Sequence, residues 1–246
     1  MIGRLDKILS AAGLGTRKEV KRLIRSGRIK TGTVICRSPE QKFDTSGTEI
    51  FLDSAKIDIK DFTYIMLNKP GGVISATRDK TKSTVLDLMP EKYKGLFPVG
   101  RLDIDTQGLL ILTDDGILTH RLTAPGKNVE KIYYLELENP WEKDYGTKIE
   151  EGLLLSDGYK CLPGRAWPEN PEPDCNKGFI AISEGKFHQV KKMFFTLGNY
   201  VTFLKRVQIG NVKLDETLSP GEFRHLTDAE VESLKKSSGL LLPCTK

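Results

Sequence analysis

The sequence predicts an α+β protein: a small N-terminal helical/β module, then a larger domain built on a mixed, mainly antiparallel β-sheet with flanking helices. Three observations lead there. Segments with strand character outnumber helical ones, and few are joined by crossover helices of regular βαβ length. Charge is unevenly spread, with thirteen Lys/Arg against seven Asp/Glu in residues 1–60 and 25 against 26 in the rest. At 246 residues the chain is long enough for two modest domains, and a polar, charged stretch at 53–61 reads as the linker that divides 1–60 from 61–246.

In the first module Leu5, Ile8, Leu9 and Ala12 recur at helical spacing, and Gly13 and Gly15 end the segment. Thr16-x-x-Glu19 is a capping box that opens a second helix. There Val20, Leu23 and Ile24 form an apolar stripe, and Lys18, Lys21, Arg22 and Arg25 fall on the opposite side. Gly27 stops the helix, and Arg28 and Lys30 extend the positive face. A solvated face normally mixes both signs of charge, and a membrane-surface helix would carry aromatics on its apolar side. Clustered bases that grip a nucleic-acid backbone fit this pattern better.

In the second domain residues 64–67 read as a strand ended by the Asn-Lys-Pro-Gly-Gly turn cluster, and residues 78–83 as an exposed loop. Residues 109–113 are a second strand, and Asp114-Asp115-Gly116 caps a helix over 117–122. Residues 131–138 alternate, with Tyr133, Leu135 and Leu137 on one side and Glu136 and Glu138 on the other. Four prolines between 163 and 173 mark a surface loop, and 178–183 is a strand. From Lys186 a helix carries Val190, Met193, Phe194 and Leu197 as one stripe, stopped by Gly198. Residues 202–207 and 223–226 look extended, and Thr227-x-x-Glu230 caps a final helix.

The run GRLDIDTQGLLILTDDG, residues 100–116, carries the densest chemistry. Asp103 sits in a turn at the mouth of an apolar strand, where a carboxylate is costly to desolvate and calls for a partner or a task. Asp105 and Asp114 could join it as a glycosidase-like pair, which needs carboxylates about 5 to 10 Å apart. Asp114 lies beyond a whole strand, and Asp105 qualifies only if the turn curls both side chains the same way. Tyr133, on the apolar side of its strand, is placed to line a cleft. Lys191, at the edge of its helix stripe, can reach in and hold an aspartate ionised. The plain alternatives are a turn-capping Asp103, a core Tyr133 with a bonded hydroxyl and a snorkelling Lys191.

No apolar run approaches the roughly 20 residues that cross a bilayer, so no membrane role is expected. The four cysteines form no Cys-x-x-Cys pair and the three histidines are scattered, so no metal site is expected. Free thiols and the lack of a signal-peptide apolar block point to the cytoplasm. No exposed apolar stripe calls for a dimer, and a monomer is expected.

Two resemblances add to this. RLDKILSAAGLGTRKEVKRLIRSGRIK resembles the small RNA-binding domain first described in ribosomal small-subunit protein four, departing from it at Lys30-Thr31-Gly32-Thr33, where that family often has Val-Asn-Gly. GRLDIDTQGLLILTDDG, with LNKPGG, KIYYLEL and EGKFHQVKKMFFTLGNYVTFLKR in the right order, resembles the pseudouridine synthases of the RsuA type. That resemblance implies isomerisation of a uridine to pseudouridine in ribosomal RNA, most closely small-subunit RNA, without cofactor or metal. It makes Asp103 the nucleophile, Tyr133 the aromatic that stacks on the uracil, and Lys191 the basic partner of the aspartate, commonly Arg in related subfamilies. Arg101 becomes a supporting residue, and Arg4, Arg17, Lys18, Lys21, Arg22, Arg25 and Arg28 the RNA-gripping ones. The partner implied is ribosomal RNA or a ribosomal assembly intermediate. The rival expectations are the same chemistry on large-subunit RNA and a non-catalytic RNA-binding or ribosome-assembly protein.

Overall fold

The structure, a computed structural model, describes residues 2–12, 14–44, 49–57 and 62–240. The chain divides into two compact units, Met1–Phe62 and Thr63–Lys246. The boundary expected at 60/61 falls on residues 58–61, outside the described ones.

The first unit runs β1 (Ile2–Arg4), α1 (Leu5–Ala11), α2 (Arg17–Arg25), β2 (Ile29–Thr31), β3 (Val34–Cys36), β4 (Lys42–Asp44), β5 (Ile50–Leu52) and β6 (Ala55–Ile57). The Thr16–Glu19 capping box forms as the sequence predicts, each residue's side chain taking the other's backbone N–H. Strands β3-β2-β5-β6 make an antiparallel sheet, and β1 pairs with β4. Leu5, Leu9, Val20, Ile24, Ile29, Ile50 and Ile57 form the core, each such burial contributing about 1.5–3 kcal/mol. The turn at the familial departure survives, with Gly32 at φ +56° joining β2 to β3. The expected linker begins too early. Residues 53–57 close a hairpin in which Asp53 takes φ +56° and Ile57 is buried; strands this short show too little alternation to announce themselves.

The second unit runs β7 (Tyr64–Lys69), β8 (Phe97–Pro98), β9 (Gln107–Thr113), α3 (Gly116–Thr123), β10 (Lys131–Leu137), α4 (Tyr145–Glu151), β11 (Arg165–Pro168), β12 (Lys177–Ile182), α5 (Gln189–Thr196), β13 (Val201–Ile209), β14 (Val212–Lys213), β15 (Phe223–His225) and α6 (Asp228–Ser237). The sheet order is β11-β12-β10-β13-β9-β7-β15, with β14 on β13 and β8 on β9. Its pairs are antiparallel except β9 with β13. The sheet is therefore mixed and mainly antiparallel, as expected.

Both faces are covered. Leu110, Leu112, Tyr133 and Leu135 pack with α4 and α5 on one face, whereas Leu109, Ile111 and Met66 pack with α3 and α6 on the other. This is why β9 reads as an unbroken apolar run rather than an alternating one. The expected proline loop at 163–173 contains β11, a strand that pairs only with β12. An edge position tolerates Pro168 because the missing N–H faces away from the ladder. The helix expected from Lys186 starts later, after His188 at φ +54°. Helix α4 has no counterpart in the sequence reading.

Candidate active site

Asp103 is carried on a turn between Gly100, at φ +72°, and β9. The turn closes through the Thr106 N–H donating to the Asp103 carbonyl at 3.1 Å. Its inside is filled by Lys69, the last residue of β7 and fully buried. The Lys69 Nζ donates to the carbonyls of Pro70 (3.0 Å), Asp103 (3.1 Å) and Thr106 (2.9 Å). Burial pulls this ammonium down to about 8, against the attraction of Asp105 and Asp103. The turn is braced twice more: the Gly72 N–H donates to Ile104, and the Ser75 hydroxyl bonds both backbone groups of Leu102.

Beyond the turn, β9 meets β13 in parallel at Gly108. A Cβ on Gly108 would lie 2.3 Å from the Arg206 carbonyl oxygen, and the residue adopts φ +98°. Only glycine permits that approach, which fixes the strand on which the Asp103 turn is mounted. Arg206 itself is buried, with its Nε donating to the Leu109 carbonyl at 2.8 Å and its Nη2 unpartnered among the described residues.

A cleft opens over this turn, and Arg101, Asp103, Thr106, Tyr133, His188 and Lys191 are among the residues lining it. The four residues expected from the sequence to share a site therefore do. Tyr133 lies on the core face of β10, 8% exposed. The Asp103 side chain is 27% exposed, and the His188 imidazole approaches it, Nε2 to Oδ1 at 3.6 Å.

Lys191 departs from expectation: its Nζ holds both carboxylate oxygens of Asp105 at 2.6 Å, not those of Asp103. Partial burial pushes the Asp105 carboxyl up, yet the Lys191 hydrogen bonds and charge hold it below the usual carboxylate range. Asp105 thus serves as a counter-ion rather than a simple turn residue. Asp115 caps α3, accepting from Ile117 and Leu118, and Asp114 accepts the Thr63 N–H. The segment leading into α5 is braced by Glu184, which is buried. It accepts from the Tyr159 hydroxyl, from the Leu162 N–H at 2.9 Å and from the Gln189 amide at 2.5 Å.

Lys69, Arg206 and Glu184 are residues the sequence reading missed as supports. A lysine ending the apolar run YIMLNK, directly before Pro-Gly-Gly, was the one local signal available.

In the first unit the expected basic face is partly spent on internal pairing. Arg4 makes a two-pronged contact with the buried Asp6 at 3.0 Å and also reaches Glu40 at 3.1 Å. Lys21 lies 3.8 Å from Asp6, and Arg28 grips Asp53 through its Nε and Nη2. A buried carboxylate needs cations beside it, which draws Arg4 and Lys21 inward. Arg17, Lys18, Arg22 and Arg25 stay exposed and make no ion pair among the described residues.

A family model of RNA pseudouridylate synthases matches residues 63–195, and one of the S4 domain matches residues 3–50. An uncharacterised RNA pseudouridine synthase of Bacillus subtilis is 40% identical over 95% of this chain and 98% of its own length. The ribosomal small subunit pseudouridine synthase A of Vibrio cholerae is 40% identical, over 95% of this chain and all of its own. A crystal structure of a pseudouridylate synthase superposes with a TM-score of 0.67 at 36% identity, covering 94% of this chain and 99% of that one.

Proposed function

The chain belongs to the RNA pseudouridylate synthase family, and from that premise we propose that it isomerises a uridine of small-subunit ribosomal RNA, with Asp103 as the reacting carboxylate. One observation carries the assignment of Asp103: it is the only carboxylate among the described residues lining the cleft. A two-carboxylate glycosidase site has no second member there, because Asp105 is taken up by Lys191. The small-subunit substrate is supported by the relative from Vibrio cholerae, whose name specifies it.

The isomerisation breaks the bond from C1′ to N1, turns the uracil and joins C1′ to C5. The proton lost from C5 is balanced by one gained at N1, so no atom is added or removed. One ionised carboxylate suffices, as nucleophile at C1′ or as the base that drives glycal formation. Asp103 is suited to this because its backbone is fixed by Lys69 while its carboxylate, 3.6 Å from the His188 imidazole, is left unclaimed by Lys191. Tyr133 offers the surface on which the extruded base stacks. Lys191, held by Asp105, places positive charge at the cleft rim without neutralising Asp103 directly.

The substrate is ribosomal RNA, free or in an assembly intermediate, met in the cytoplasm by a monomer. The exposed Arg17, Lys18, Arg22 and Arg25 contact its phosphates, and Arg101 lines the route to Asp103. Mass-spectrometric mapping of pseudouridine in ribosomal RNA from cells with and without the protein tests this. Loss of one small-subunit pseudouridine is expected; loss confined to large-subunit RNA, or no loss, would overturn it.

A further inference from the structure

Phe187 is the most exposed large apolar residue among those described, at 72%, and it stands at the cleft rather than on a remote surface. Its neighbours on both sides, Lys186 and His188, line the cleft. The Phe187 and His188 rings are stacked, with centroids 3.7 Å apart and planes 20° from parallel, and His188 in turn approaches Asp103. Asp103, the His188 imidazole and the exposed Phe187 ring are therefore successive neighbours at the cleft.

The support beneath is rigid. The Gln189 side-chain oxygen accepts the Lys186 N–H at 2.9 Å, and the strained left-handed backbone of His188 sets the angle between the two rings. The Lys192 ammonium, paired with Asp157 at 2.6 Å, lies over the ring 5.9 Å from its centroid, and Lys186 lines the cleft.

We propose that Phe187 is the stacking platform for the unpaired RNA base that adjoins the target uridine. This rests on reading the cleft as the uridine site. Pulling a uridine into the cleft unstacks its neighbour, which exposes a π-face where the Phe187–His188 stack ends. Lys186, at the cleft, is placed to meet a phosphate flanking that base. Such stacking tolerates any base, because every base has a π-face, so Phe187 adds affinity and registers the strand without selecting sequence. An apolar protein partner would find a single ring ringed by lysines.

The test uses the full chain carrying Asp103→Asn, so that bound RNA is not turned over. Fluorescence anisotropy measures its affinity for two probes: a seven-nucleotide single-stranded RNA with a central uridine, and the same oligomer with abasic residues on either side of that uridine. Phe187→Ala should weaken binding of the intact RNA roughly 5- to 150-fold, the equivalent of about 1–3 kcal/mol. It should leave the abasic RNA unaffected, and Phe187→Trp should bind both probes as the parent does. Equal losses on both probes, no loss on either, or a Trp variant as weak as the Ala variant would overturn the platform. Pseudouridine formation by the unmodified chain on small-subunit RNA is scored separately. A Phe187 effect without that product would sink the proposed substrate and leave the platform standing.

Discussion

The tetrapeptide Gly-Arg-Leu-Asp occurs twice in this chain, at residues 3–6 and 100–103, and its two aspartates have opposite fates. Asp6 is wholly buried in the first turn of α1, and burial alone would raise its carboxyl. The two-pronged contact from Arg4 two residues back reverses that and holds it below the usual range. Asp103 is partly open to solvent, and its own Arg101 turns outward to the cleft. What holds it is not an arginine on its carboxylate but a buried lysine on its backbone carbonyl. The difference teaches that the carboxylate proposed to react is anchored through its main chain, whereas the buried one is anchored through its charge.

Removing each aspartate's key group separates the two roles. Asp103→Asn should cut pseudouridine formation by roughly 10⁴-fold or more while RNA binding survives; measurable turnover near the parent rate would remove Asp103 from the chemistry. Arg4→Met should do the reverse. It leaves the buried Asp6 with Lys21 at 3.8 Å as its nearest remaining cation, so urea unfolding should show a clear loss of stability, with kcat on saturating RNA unchanged.

Lys69→Met tests the main-chain anchor. With the turn loosened, kcat should drop about 10²-fold, as expected when reacting groups shift by about 1 Å. The parent enzyme should lose activity as pH rises through about 8, where Lys69 gives up its proton, and Lys131→Met should leave that limb in place even though burial also pulls Lys131 down to about 8. Stability runs the other way. Between about pH 8 and the ordinary lysine value of 10.5, the unfolded chain still binds the proton that the folded chain has released. The Lys69 contribution to stability therefore rises with pH across that window. A parent enzyme and a Lys69→Met variant with the same pH dependence of unfolding would contradict this.

The smallest effect concerns the bases of the first unit. Replacing Lys18, Arg22 and Arg25 by Gln should flatten the plot of log affinity against log salt by about 0.7–0.9 for each phosphate no longer gripped. Arg28→Gln should leave the slope nearly unchanged, because Arg28 is already spent on Asp53. Equal changes for both would mean that the internal pairing opens on RNA.

The features that the sequence determined by itself depend on neighbours in the chain. Both capping boxes link residues three apart, and the alternation that puts Tyr133 on the core face is a property of one strand. The turn that presents Asp103, and the order of motifs that carries the family resemblance, are equally local or linear. Tertiary structure alone decided the long-range partners of the buried and cleft cations. Lys69 reaches a carbonyl 34 residues away, Lys191 reaches Asp105 across 86, and Arg206 reaches Leu109 across 97. Each of these side chains has a flexible stem able to serve many partners, and only the packing of β7, β9, β13 and α5 decides which ones it meets. The candidate carboxylate, Asp103, was therefore legible in the sequence, and the means of holding its turn was not.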